Sequence, residues 1–306
     1  MKVPNFPGRR DVAADLLVRA RGSASCSIAV VGPGKDVGKT VTALALVRAA
    51  RRAGYATAMT SMGRDGEHQD VATTLAKPRI VLPAGTLIAT ATALLPRSPA
   101  VEIVELCEHL TALGPVAIAR VRTECAVELA GPSTGAAMRD VIERLKHDAQ
   151  VVVMDGAVDR MAATAGGDDA LVVATGAALA PTLAGVLEQT RALVARLTIP
   201  QGVPAGAIVV GGALTSARAC ELLARDDLER GVVVRDPHSL QLPAALLTAI
   251  QRRGPVSCRR PLNVVAATVS AQGPRHALDP VALARAVADS TGLPVYDIYR
   301  NAVVGG

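Results

Sequence analysis

Residues 27–50 read SIAVVGPGKDVGKTVTALALVRAA, and this stretch decides the fold. An apolar run enters a glycine-bearing turn, passes Gly38-Lys39-Thr40 and continues into an Ala/Leu/Val segment of helical length. A buried strand, a tight turn and a helix in that order make a cradle for a phosphate chain. Glycines let backbone N–H groups approach phosphate oxygens, Lys39 offers a point charge to the β and γ phosphates, and the Thr40 hydroxyl can reach Mg2+. The helix N-terminus adds its positive end. The nucleotide-binding residues expected here are Gly34, Lys35, Asp36, Val37, Gly38, Lys39, Thr40 and Val41.

The same alternation runs outward along the chain. Strands are predicted at 27–31, 55–63, 115–121, 149–155, 170–176, 206–212, 230–236, 262–270 and 293–299. Helix-length segments fall at 10–21, 133–148, 181–197, 239–252 and 280–291. Strands alternating with helices build βαβ units, so the expectation is an α/β fold with a mainly parallel sheet flanked by helices. The segment LTIPQGVPAG (197–206) reads as a linker. The organisation expected is an N-terminal helix within 1–26, a nucleotide-binding domain over 27–200, and 201–306 as an extension of the same sheet or a small subdomain.

Composition narrows the function. Hydrophobic residues make up 50% of the 306, yet the aromatics are only Phe6, Tyr55, Tyr296 and Tyr299. The core must therefore come from Ala, Val, Leu and Ile. The net charge of +6 is carried by scattered arginines, and without aromatics to stack on bases a nucleic-acid platform is disfavoured. Cys26, Cys107, Cys125, Cys220 and Cys258 are widely spaced and include no C-x-x-C pair, which argues against a disulfide framework or a zinc knuckle. No apolar run reaches the ~18 residues of a membrane span, and the expectation is a cytoplasmic protein.

A phosphate cradle needs carboxylates to hold Mg2+ and order a nucleophile. Asp155 closes the apolar run VVVMD, where a carboxylate at the end of a central strand points toward the phosphates. An ordinary strand-end cap is the alternative. In SMGRDGEHQD (61–70), Asp65, Glu67 and Asp70 cluster with Arg64 and His68, and Asp65 or Glu67 can touch Mg2+ or orient water. A solvated charged turn is the alternative there. The catalytic candidates are thus Lys39, Glu67 and Asp155, and the metal candidates Thr40, Asp65, Glu67 and Asp155. Segments 76–80 and 83–94 read as polar insertions. In VELAGPSTGAAM (127–138), Ser133 and Thr134 are a helix cap or the wall of a pocket. RDPHSLQ (235–241) approaches a cobalamin-ligating Asp-x-His-x-x-Gly pattern, but Gln241 replaces its glycine. The absence of an Asn-Lys-x-Asp stretch for guanine favours adenine, and hence ATP.

The usual phosphate-loop spacing puts a glycine five residues before Gly38, where Pro33 stands; the glycine comes one residue earlier, at Gly32. This longer loop resembles the dethiobiotin synthetase and cobyrinic acid synthetase branch of P-loop proteins. GPGKDVGKT, TSMGRDGE, KPRI, GTLIATATAL, ELAGPS, DGAVDR and ATGAAL, in that order, resemble the P-loop subunit of the lysine 5,6-aminomutase and ornithine aminomutase reactivase. The likeness covers about residues 27–180 and continues more loosely through VVAATVS and LPVYDIY. The resemblance implies an ATPase that couples hydrolysis to release of damaged cobalamin from an adenosylcobalamin-dependent aminomutase, working with a second, MutS-like ATPase subunit. It maps Lys39, Thr40 and Asp155 onto phosphate and Mg2+ positions and fits Lys35 to the loop. A homodimer is left open. The competing readings are an ATP-dependent ligase for a small molecule and a nucleotide-binding regulator.

Overall fold

The structure, a computed structural model, describes residues 11–22, 25–62, 80–156 and 170–305. Helix α1 (Val12–Ala20) is capped by Asp11, whose carboxylate accepts from the amides of Ala13 and Ala14. Strand β1 (Cys26–Val31) is buried along its whole length and leads into α2 (Lys39–Arg52) and β2 (Thr57–Ser61). Next come β3 (Ile80–Leu82), β4 (Leu87–Ala91), β5 (Val101–Thr111), β6 (Gly114–Val121) and β7 (Cys125–Val127). After them follow α3 (Gly135–Asp148), β8 (Val151–Asp155), β9 (Ala170–Gly176) and α4 (Leu183–Leu197).

A small unit then forms from β10 (Ile208–Val209), β11 (Leu214–Thr215), α5 (Ser216–Leu223), β12 (Val232–Val234), β13 (Leu240–Gln241), α6 (Ala244–Arg253) and β14 (Val256–Cys258). Strands β10, β12 and β14 make their own parallel sheet over a core that includes Leu214, Leu228, Val232, Ile250 and Cys258. The chain closes with β15 (Asn263–Ser270), α7 (Pro280–Thr291), β16 (Val295–Asp297) and β17 (Ala302–Val304). Residues 201–306 thus contain a separate small sheet up to Cys258 and a return to the large sheet from Asn263.

Among the described residues the large sheet has ten strands, in the order β17-β16-β15-β9-β1-β8-β2-β4-β6-β5. Neighbours from β16 through β4 are parallel, while β17 at one edge and β6 and β5 at the other are antiparallel. The reading of 83–94 as a polar insertion is corrected: it contains β4, whose five residues LIATA are all buried between β2 and β6.

Both faces of the centre are covered, which is why its strands are continuous apolar runs. On β1, Ile28 and Val30 pack with α1 and α2, whereas Ala29 and Val31 pack with α3, α4 and α7. Fully burying a side chain such as Ile28 contributes about 1.5–3 kcal/mol. From β1 the chain crosses through α2 to β2 on one side, and from β9 it travels through α4 and the small unit to β15 on the other. Connections that diverge from adjacent parallel strands open a crevice at their carboxyl ends.

Candidate functional site

The glycine-rich turn leaves β1 at its carboxyl end. A Cβ on Gly32 would stand 2.4 Å from the Ala174 carbonyl oxygen of β9 and 2.7 Å from Val37 Cγ2, so no side chain fits there. That close approach accounts for the glycine at 32 and not at 33. Gly34 is pressed against Leu179, and Gly38 adopts φ +92°, a left-handed conformation that favours glycine. Asp36 also has positive φ, 57°, which Asp tolerates better than most residues. Lys35 and Asp36 are exposed on the turn, while Val37 is buried beneath it. Gly38 precedes α2 without any side-chain cap, and no acidic residue occupies the helix's first turn. Val41, in the first turn, is 37% exposed.

Lys39 folds back and donates from Nζ to the Gly34 carbonyl. Thr40 donates from Oγ1 to Asp155 Oδ2 at 2.5 Å, joining the start of α2 to the end of β8. Burial pushes the Asp155 carboxyl above its ordinary value, while the Thr40 hydrogen bond and the Lys39 charge pull it back. A partly buried carboxylate thus faces a hydroxyl and an ammonium. The end of β2 joins the same edge: Met62 N–H donates to Asp155 O, and Gly131 N–H to Ser61 O. Gly131 has no room for a side chain, since its Cβ would lie 2.4 Å from Ser61 O. Thr134 caps α3 by accepting from Ala137 N–H, so of the two readings of Ser133 and Thr134 the cap holds for Thr134. Asp65 and Glu67, with Arg64, His68 and Asp70, lie outside the described residues.

On the opposite side of the turn stand residues that sequence reasoning missed. The Tyr299 hydroxyl and Ser270 Cβ would be 3.5 and 3.6 Å from a Cβ on Gly38. Thr42 and Thr268 share a buried hydroxyl–hydroxyl hydrogen bond of 2.9 Å, tying α2 to β15. No local pattern signals these contacts; they arise from the sheet order that places β15 and β16 beyond β9.

The Asp-x-His segment is a structural turn in the small unit. Asp236 is buried and accepts from the Ser239 amide and hydroxyl and from Arg235 Nε. Burial drives His238 down to about 4. Among the described residues no group of three His, Cys, Asp or Glu side chains is placed to hold a metal.

No protein-family model matches the chain, and no curated protein or solved structure is detectably similar to it. Among the described residues no helix is long and apolar enough to cross a membrane.

Proposed function

We propose that the chain is a P-loop ATPase, built on a dethiobiotin synthetase-like arrangement, that acts in the cytoplasm on a protein partner. The observation that carries this reading is the Thr40–Asp155 pair: a hydroxyl and a partly buried carboxylate 2.5 Å apart, next to Lys39 and an uncapped helix N-terminus. Amides at a helix start together with a lysine form a site for a phosphate chain. A hydroxyl and one carboxylate suit Mg2+, which keeps several waters and takes its other ligands from phosphate oxygens. Thr40 and Asp155 would hold that ion, and it would supply positive charge against the phosphoryl oxygens.

In this reading the roles of the chain's own residues follow from their positions. Lys39, released from the Gly34 carbonyl, takes up the β and γ phosphate charge. The amides of Gly34 through Thr40 bind and orient the phosphates. Partial burial of Asp155 reduces screening by water, which strengthens its interaction with any cation nearby.

The partner follows from the order of sequence segments alone: an adenosylcobalamin-dependent aminomutase, reactivated through release of damaged cobalamin, with a second MutS-like ATPase subunit. ATP hydrolysis by the purified chain, measured alone and with such an aminomutase, tests both parts. Wild type should hydrolyse MgATP faster with the aminomutase present. Lys39→Ala should lose about two orders of magnitude in MgATP affinity by isothermal titration while remaining folded. Unchanged binding in Lys39→Ala defeats the ATPase reading; turnover that needs a small carboxylic acid or amine, and ignores the aminomutase, makes the chain a ligase.

A further inference from the structure

Half of what marks a place for a nucleoside is the way Tyr299 is held. Tyr299 is 58% exposed in a chain with four aromatic residues, so its ring is not there to fill a core. Yet the turn that carries it is firmly held. Asp297, only 5% exposed, accepts the amides of both Tyr299 and Arg300 through Oδ1. Asn301, with φ 55°, accepts the Val12 amide at 2.9 Å and so ties the turn to α1. An exposed aromatic ring on a fixed turn presents a flat apolar face at little further entropic cost.

The second half is position. The Tyr299 hydroxyl and Cε2 would lie 3.5 and 3.9 Å from a Cβ on Gly38, immediately beside the phosphate turn. Asp155 and Thr40 fix the β8 side of that turn as the polar side. The β9, β15 and β16 side is more apolar around the turn, with Ser270 as its polar member. It offers Gly176, Ala177 and Ala178 at the end of β9, Leu179 against Gly34, and Tyr299 against Gly38. His276 Nε2 meets the Ala177 and Ala180 carbonyls, which fixes the backbone after β9. A nucleoside on a triphosphate that faces Asp155 and extends toward β15 and β16 runs past Tyr299.

We infer that Tyr299 is the stacking wall for the nucleobase, which makes the substrate a nucleoside triphosphate and not merely a polyphosphate. The inference rests on the phosphate-site reading above. Aromatic faces stack any base, so Tyr299 sets affinity and leaves the choice between adenine and guanine to other groups.

The test is titration of wild type, Tyr299→Ala and Tyr299→Phe with MgATP and with magnesium tripolyphosphate. The Ala variant should bind MgATP about tenfold more weakly, roughly 1.4 kcal/mol at 25 °C. It should keep tripolyphosphate within about twofold, because the phosphate turn is untouched. The Phe variant should bind MgATP like wild type, because the ring acts and the hydroxyl does not. Unchanged or tighter MgATP binding by the Ala variant overturns the inference, as does equal weakening of both ligands or a Phe variant as weak as Ala. If wild type binds tripolyphosphate and MgATP equally well, the phosphate site stands and the base wall falls. If wild type binds neither, the phosphate-site reading falls as well.

Discussion

The centre of the large sheet and its far edge are built from similar apolar residues and do opposite things with them. In β1 every residue is buried, and helices cover both faces. In β5 the large apolar side chains Ile103, Leu106 and Leu110 are 54%, 61% and 75% exposed. They stand opposite Ala119, Ala117 and Pro115 of β6, and the pairing slips between Ile103 and Glu105 and again between Leu106 and Leu110. On β5's other face, Glu105 and His109 reach Arg144 and Asp140 of α3. Bulges and charges blunt an edge that would otherwise template another strand. The candidate site lies where both faces are covered, and the edge is left to manage its exposure.

The largest expected difference is therefore chemical. Asp155→Asn should lower Mg2+-dependent ATP hydrolysis by about 100-fold or more, in line with removal of one group that stabilises developing charge. Nucleotide affinity should stay within about tenfold, since Lys39 and the turn amides remain. Glu105→Gln, a matched change at the edge, should leave the rate within about twofold, because surface ion pairs contribute little. Steady-state rates for both variants check the contrast. A normal rate in Asp155→Asn removes it from the metal shell, and an equal loss in Glu105→Gln dissolves the distinction between the two regions.

The next difference is in stability. Ile28 is fully buried between α1, α2 and the neighbouring strands, so Ile28→Ala leaves a cavity and should cost about 2–5 kcal/mol. Urea unfolding reads this directly. A cost under about 1 kcal/mol would mean the centre can collapse around the gap, contrary to the close packing expected of an interior.

The same contrast explains what the sequence reveals. Central strands show as unbroken Val and Ile runs because neither face meets water, and the predicted 27–31, 149–155 and 170–176 match β1, β8 and β9 closely. Strand β5 does not show. Its Glu102, Glu105 and Glu108 recur every third residue, a spacing that fits no simple strand, and the bulges absorb the mismatch. Strand β4 is hidden by the two alanines among its five residues, since Ala is depleted in strands, although all five are buried. At the candidate site, Lys39, Thr40 and Asp155 are legible because their chemistry is local to a turn and a strand end. Tyr299 is not, since its approach to Gly38 depends on β16 lying three strands from β1. Gly32 is legible only as an anomaly until the Ala174 carbonyl beside it gives the reason.

The smallest expected effect sits at the edge. Leu110 is 75% exposed and opposite Pro115, so Leu110→Ala removes little buried area. Surface changes of this kind are usually within about 0.5 kcal/mol. Urea unfolding of Leu110→Ala at low and high protein concentration should give the same small shift at both. The concentration series matters because an exposed apolar row of Ile103, Leu106 and Leu110 is also what a covered surface looks like once its cover is removed. A partner that binds only the folded chain adds stability by mass action, so its contribution grows with concentration. A shift above about 1 kcal/mol that appears only at high concentration would mean that a second copy shields Leu110. The edge would then be an interface, and the contrast with the centre would hold only for the isolated chain.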